Sequence, residues 1–587
     1  MIPYTTYAIS IVSISQLTHT NPIIKPHPTP PLLTSQLVFT TTTMSDENLD
    51  TNVVRDAAPR RPRSMEDDES GHSVDLKAME TVQAKSETEN DEDDEEEYFE
   101  DKPSKGEVMG WCFYELCSYF THTVLLTIVF PLIISQSFGS QPPQPAAGGL
   151  YKNGKGFHCT KKETDLLEAL TYARIKVGSM KFSPLEWTSI SWFSGLILAA
   201  PLLAAVSIHL DHRPNSQLIT AAATAIGAVF CLPAGAIKTY WIMPPYVAAI
   251  VSSNAVGSAF HNRHLGLMVR GFVGDNIRKL QFPDRQAVSS WLSIYATAAG
   301  CLGSAAIASF TYYMLQNSEG FISLWIVSIF SGILWFAGIG HIITATRSNG
   351  NESSFNNSQV TASHFISIFK YPHATGSLVG VFLSSFSTMS IFTSGVLYIV
   401  GELCVPPKDI LFVWLTYFFF PILALPFLHP VQKVIQSDAV KMQIFGFILT
   451  TLASGMGYYY RNNNWHFNHV VFLAATQSVA SGVLHAFSRI LLMDCAPSGK
   501  EGVFAAWFSW IRMFGAFGGF VIGSSGVGNI NRAFGAAFAA AVVGIVVLIF
   551  SNVSSYGGAV AAGHVRKRRE TGSPVPVKGS DDRSMEV

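Results

Sequence analysis

Charge is what this chain has least of. Only 14% of its 587 residues are Asp, Glu, Lys or Arg, against about 25% in soluble globular domains. At that length a soluble protein would divide into about four domains of roughly 150 residues, and the charge deficit argues against such a cytosolic enzyme. Catalytic fingerprints are missing too. The sequence has no GxxxxGK[ST] phosphate loop and no HExxH, so the usual carriers of nucleotide-driven transport and zinc hydrolysis are absent. Its seven cysteines form no CxxC and no Cys/His cluster with metal-ligand spacing. No enzyme activity, catalytic residue, cofactor or metal is expected, and no nucleic-acid partner.

What charge there is lies unevenly. Residues 44–107 carry a net charge of −14, whereas residues 108–587 carry +11 and are strongly apolar. The acidic stretch ends in the run Asp91 to Glu97, and such a segment buries too little apolar surface to offset its ordering entropy. Residues 1–107 are therefore read as a disordered cytosolic tail. Tyr7 to Leu17 is weakly apolar but lacks the basic start of a secretory signal.

The body supplies twelve runs long enough for a helix of about 20 apolar residues to cross a bilayer. They fall near 109–138, 186–210, 217–237, 241–260, 287–315 and 321–345, then 373–401, 410–428, 440–460, 467–493, 502–524 and 532–551. They do not alternate apolar with polar, which excludes barrel strands. The fold class is all-α: a polytopic membrane protein of two six-helix bundles, residues 108–345 and 373–551, with a cytosolic linker at 346–372 and a basic tail at 552–587. The excess of Lys and Arg in alternate short loops, from Arg213 through Arg263 to Arg285 and on to Lys500, places both termini in the cytosol. The sequons at Asn351, Asn356 and Asn552 then face the cytosol, and Cys159 and Cys404 share the opposite side, where they could form a disulfide.

A titratable group inside a spanning helix costs at least about 2.5–3.5 kcal/mol, so each one asks for a reason. Glu115 and His122 are two turns apart on one face of the first span. They read either as a substrate-ammonium or proton site or, for Glu115, as an anchor paired to an arginine. Arg512 lies near the middle of the eleventh span and must face the interior and meet an anion, either Glu115 or a substrate carboxylate. In the tenth span His485 and Arg489 share a face with Asp494 just beyond. Arg489 and Asp494 read as a charge lock near the cytosolic end, while His485 fits either role. Asp211-His212-Arg213 forms a charged turn after the second span; Asp211 and Arg213 are read with Arg489 and Asp494 as a gating or structural charge cluster, the plainer reading of the turn being loop solvation. His261 and His264 read as interfacial.

Several of these residues sit in recognisable patterns. Ser207 to Arg213, with Asp211 in place, resembles the glycine–aspartate–arginine signature of the major facilitator superfamily. Gly110-Trp111-Cys112-Phe113-Tyr114-Glu115 with Thr127 to Leu132 resembles the first helix of that superfamily's autophagy-related vacuole effluxer-like branch. Ser488-Arg489, Pro497, Gly499, Glu501 and Phe504 are similar to a later signature of the branch, with His485 where Gln is common and Phe520 where Pro is common. The resemblance implies a secondary transporter, proton-coupled or not, that moves amino acids from a vacuole- or lysosome-like lumen to the cytosol. A zwitterion would then place its ammonium on Glu115 and its carboxylate on Arg512. A carrier for a sugar, organic acid or drug-like cation, and a non-transporting sensor or scaffold, are the alternatives.

Overall fold

A computed structural model of the chain describes residues 102–138, 167–171, 173–212, 216–233, 239–317, 322–345, 347, 362–401, 403, 405, 407–460, 465–525 and 530–566. The acidic tail, Arg213, Cys159, Cys404, Asn351 and Asn356 lie outside the described residues.

Twelve helices stand where the apolar runs predict them. They are α1 (Lys105–Ser137), α2 (Pro184–His212), α3 (Ser216–Cys231), α4 (Met243–Val273), α5 (Phe282–Asn317), α6 (Ile322–Ala337), α7 (Pro372–Gly401), α8 (Pro407–Ile435), α9 (Ala439–Tyr459), α10 (Phe467–Asp494), α11 (Glu501–Ser525) and α12 (Ile530–Phe550). Among the described residues ten helices are long and apolar enough to cross a membrane; α3 is apolar but shorter, and α4 falls outside the ten. The chain is an all-α polytopic membrane fold. A short hairpin, β1 (Ile175–Val177) and β2 (Met180–Phe182), precedes α2 in antiparallel register with Ile175 opposite Phe182.

Two boundaries differ from expectation. The fourth span does not stop at Phe260: α4 continues to Val273 and buries Arg263 and Arg270, which charge alone would assign to a loop. The helix can continue because those side chains find protein partners, and a paired charge tolerates burial that a lone one does not. The fifth helix likewise starts earlier, at Phe282, taking Arg285 inside.

α1 holds the centre. Its apolar window is 94% buried, so its polar residues face protein and not lipid. Within it, Thr121–Val129 winds as a π-helix, a geometry concentrated at functional sites. Proline is tolerated inside α2 (Pro201) and α8 (Pro421, Pro426, Pro430), where neighbouring helices and hydroxyl side chains re-satisfy the backbone.

The helix order has an internal symmetry. Across the two sequence halves α2 packs on α11 and α5 on α8. Moving six helices along turns the first pair into the second, as a repeated six-helix unit requires. After α12 the chain closes with α13 (Ser555–Ala562). Val565 then pairs in parallel with Ile277 between α4 and α5, tying the segment after α13 to the first half of the sequence.

Candidate functional site

Helical spacing builds the centre. In α1, Trp111, Glu115 and Tyr119 recur every four residues, and His122 follows one turn later, so all four line one face. α4 brings His261, α5 brings Ser293 and Thr297, α10 brings His485 and Arg489, and α11 brings Arg512.

Glu115 is 4% exposed and meets three nitrogen groups. His261 Nε2 is 2.6 Å from Oε2 and Arg489 Nη1 is 3.3 Å from it, while His485 Nε2 lies 3.0 Å from Oε1. Arg489 is fully buried. It also donates to Ser293 Oγ at 3.1 Å and the Ser293 carbonyl at 3.2 Å, and its guanidinium lies 5.1 Å from the Trp111 ring. Trp111 in turn stacks on His261 with centroids 4.6 Å apart and donates its indole N–H to the His261 carbonyl at 2.9 Å. The ion pair thus has the extra hydrogen bonds that a desolvated charge needs.

Arg512 sits differently. Nη2 lies 2.8 Å from His122 Nε2, and Nη1 lies 3.2 Å from His485 Nδ1. The guanidinium can only donate. His485 therefore accepts at Nδ1 and donates from Nε2 to Glu115, linking carboxylate, imidazole and guanidinium in one row. Arg512 is half-buried, since one side opens on a cavity of about 70 Å³. Hydroxyls from Ser384, Thr388, Ser478 and Ser481 line the cavity beside His122 and His485, and no described carboxylate does.

A second constellation closes the end of the bundle where α1 begins. The Asp211 carboxylate accepts from the first-turn N–H groups of α11, Gly502 at 2.6 Å and Val503 at 3.2 Å, with His364 Nε2 at 3.1 Å. It therefore sits at the positive end of a helix dipole. A Cβ on Gly502 would stand 2.6 Å from Asp211 Oδ1, so only glycine lets the carboxylate in. Arg270 Nη1 meets Glu501 at 2.7 Å, and Arg285 Nε meets Asp494 at 3.4 Å. Ser555 of α13 donates to the other Asp494 oxygen at 2.5 Å. Glu107 binds Arg347 and His264 at 2.9 Å each.

The structure brings Glu115, His122, His485 and Arg512 together, pairs Glu115 with an arginine as one of its two expected readings has it, and departs from other expectations. Arg489 does not lock to Asp494; it turns to Glu115, and Asp494 takes Arg285. Glu115 and Arg512 do not pair directly, because His485 stands between them. His261 and His264 are buried at 2% and 1% exposure rather than interfacial, because each meets a carboxylate from α1. Asp211 is likewise buried against α11 rather than solvated. Sequence reasoning missed His261, Arg270 and Glu501 as partners. α4 is buried almost all round from Tyr246 to Arg270, which leaves no polar stripe to mark them.

Fold and site together define a polytopic membrane protein with a buried charge relay beside a polar cavity. No family model and no curated protein matches the chain. Among solved structures it is similar to the human organic anion transporter MFSD10 (TETRAN), at 12% identity and a TM-score of 0.47 over 76% of this chain and 100% of that one. It is also similar to a bacterial homologue of the iron transporter ferroportin in its outward-facing state, again at 12% identity and TM-score 0.47, over 76% of this chain and 99% of the other.

Proposed function

We propose that the protein is a secondary transporter of the major facilitator type, exporting amino acids from a vacuole- or lysosome-like lumen to the cytosol. In this reading residues 108–345 and 373–551 are two rocking halves, 346–372 is the linker, and both termini are cytosolic. The observation that carries it is Arg512, a guanidinium deep in α11 that meets two imidazoles and a hydroxyl-lined cavity but no described carboxylate. A structural arginine at that depth would be neutralised, as Arg489 is by Glu115. Arg512 is instead left to an incoming anion.

Alternating access follows from the two constellations. The Asp211, Glu501 and Asp494 contacts hold the halves together at one end, and they must break for the cavity to open there. Proton coupling enters through His485. A proton on Nδ1 would turn that nitrogen from acceptor to donor, repel Arg512 and free it for the solute carboxylate. Deprotonation would restore the row and release the solute.

Counterflow in proteoliposomes tests the proposal. Preloaded amino acid should drive uptake of labelled amino acid, an inward-acid gradient should change the rate, and Arg512→Ala should abolish it. A chain that reaches its membrane and exchanges no solute in a broad panel would be a scaffold or sensor.

A further inference from the structure

We propose that the solute is a monocarboxylate with an apolar tail and needs no ammonium group: its carboxylate takes Arg512, and its tail passes Phe392 and Tyr417 into a second chamber. The inference rests on the carrier reading and widens its solute from amino acids to monocarboxylates at large, the ammonium being dispensable.

The charge pattern comes first. Of the pair that would hold a zwitterion, only Arg512 faces the cavity. Glu115 is not in the cavity lining and is already held by Arg489, His261 and His485. An ammonium entering the cavity meets hydroxyls, imidazoles and a guanidinium, and no described carboxylate. The cavity therefore favours an anion and gives a bare amine nothing to pair with.

Size comes second. A cavity of about 70 Å³ has room for roughly five waters, which suits a carboxylate on a two- or three-carbon stem. A second chamber of about 80 Å³ lies among α7, α8, α10 and α12. Its walls are apolar, among them Ile399, Val413, Trp414, Leu473 and Phe534. Phe392 and Tyr417 line both chambers with their rings in contact, centroids 5.0 Å apart, so they partition the two and must turn aside for a tail to pass. A head in the first chamber and a tail in the second would use both volumes.

The far chamber also has one polar feature. Gln477 is 2% exposed, and neither atom of its amide has a hydrogen-bond partner among the described residues. A buried amide without partners is costly, and a hydroxyl at the end of the tail would satisfy it.

The test uses the full-length purified chain and the probes lactate, 3-phenyllactate, 3-(4-hydroxyphenyl)lactate and phenethylamine. Binding is read by thermal shift titration and exchange by counterflow. The two aromatic acids should bind at least tenfold tighter than lactate, the hydroxylated one tightest, and phenethylamine should not bind. Arg512→Gln should remove binding of every acid. Gly395→Leu fills the apolar chamber from α7, where a Cβ meets nothing within 4 Å; it should erase the aromatic preference and leave lactate unchanged. Ala474→Val serves the same purpose if the first variant misfolds. Phenethylamine binding as tightly as phenyllactate would overturn the inference, as would an aromatic preference that survives both chamber variants. Exchange of lactate and alanine without aromatic preference would also overturn it while leaving the carrier standing. Failure of every acid and amino acid to exchange would overturn both.

Discussion

The centre of the bundle and its Asp211 end use the same chemistry in opposite proportion. At the end, Asp211, Glu501 and Asp494 meet two arginines, a histidine and a helix N-terminus, and each carboxylate is answered in place. At the centre one carboxylate, Glu115, faces two guanidiniums separated by His485. The end is balanced; the centre has a surplus cation and a cavity beside it. Buried ion pairs contribute little net stability, because desolvation offsets attraction. In the proposed reading the balanced set is a latch whose contacts can break at modest cost. In the proposed reading the unbalanced set is the site, its missing partner being the incoming anion.

Removing the central pair should break the comparison most severely. Arg489→Ala strands Glu115 with two imidazoles, and an uncompensated buried charge costs about 3–5 kcal/mol. Detergent-solubilised variant should lose its monodisperse peak or melt far below wild type, while Arg489→Ala combined with Glu115→Gln should recover much of that loss. Arg512→Ala should behave differently. It strands no carboxylate, so stability should fall by about 1 kcal/mol, whereas exchange should fall about 100-fold, the equivalent of one charge-assisted contact of about 3 kcal/mol. Equal destabilisation by the two variants would erase the distinction between paired and surplus arginine.

Much of this was legible in the sequence. Hydrophobic runs located twelve helices, ten of which are long and apolar enough to cross a bilayer among the described residues. The cost of intramembrane charge singled out Glu115, His122, His485 and Arg512, which the fold does gather. What failed was pairing. Arg489 lies one turn from His485 and five residues from Asp494, and spacing favours neither Glu115 nor Asp494 as its partner. The choice is made by α5, whose Ser293 and Thr297 receive the guanidinium beside Glu115, a contact between residues almost 200 positions apart. His261 was lost for a related reason: on a helix buried on every side, with Asn262, Arg263 and His264 buried beside it, no contrast between polar and apolar faces marks one residue out.

The latch yields to smaller changes. Gly502→Ala forces a methyl against Asp211 Oδ1 and should open that end of the bundle without touching the centre. The loss of two N–H contacts to a carboxylate is worth about 2 kcal/mol, enough to shift a closed population by about thirtyfold. A cysteine placed at Leu210 should become reactive to a maleimide in Gly502→Ala and stay protected in wild type. Protection in both would mean that Asp211 does not hold the end closed.

The smallest effect concerns the chain's end. His564 Nε2 lies 2.7 Å from the Ala496 carbonyl, next to the Ile277–Val565 bridge. Burial, and then the nearby Arg285, push its pKa well below the ordinary 6.5. The docked segment thus prefers the neutral ring, while the released segment takes up a proton near pH 6.5. Docking is at full strength above that pH and weakens as pH falls below it, by at most about 1.4 kcal/mol per pH unit until the docked ring itself titrates. Hydrogen exchange at Ile277 and Arg566, whose amides close this bridge, should accelerate between pH 7 and pH 5.5 once intrinsic rates are divided out. His564→Gln keeps a donor that does not titrate and should flatten the profile. A profile unchanged by His564→Gln would assign the acid sensitivity to the Arg285–Asp494–Ser555 contacts instead, and would make the C-terminal segment a passive strap on the latch.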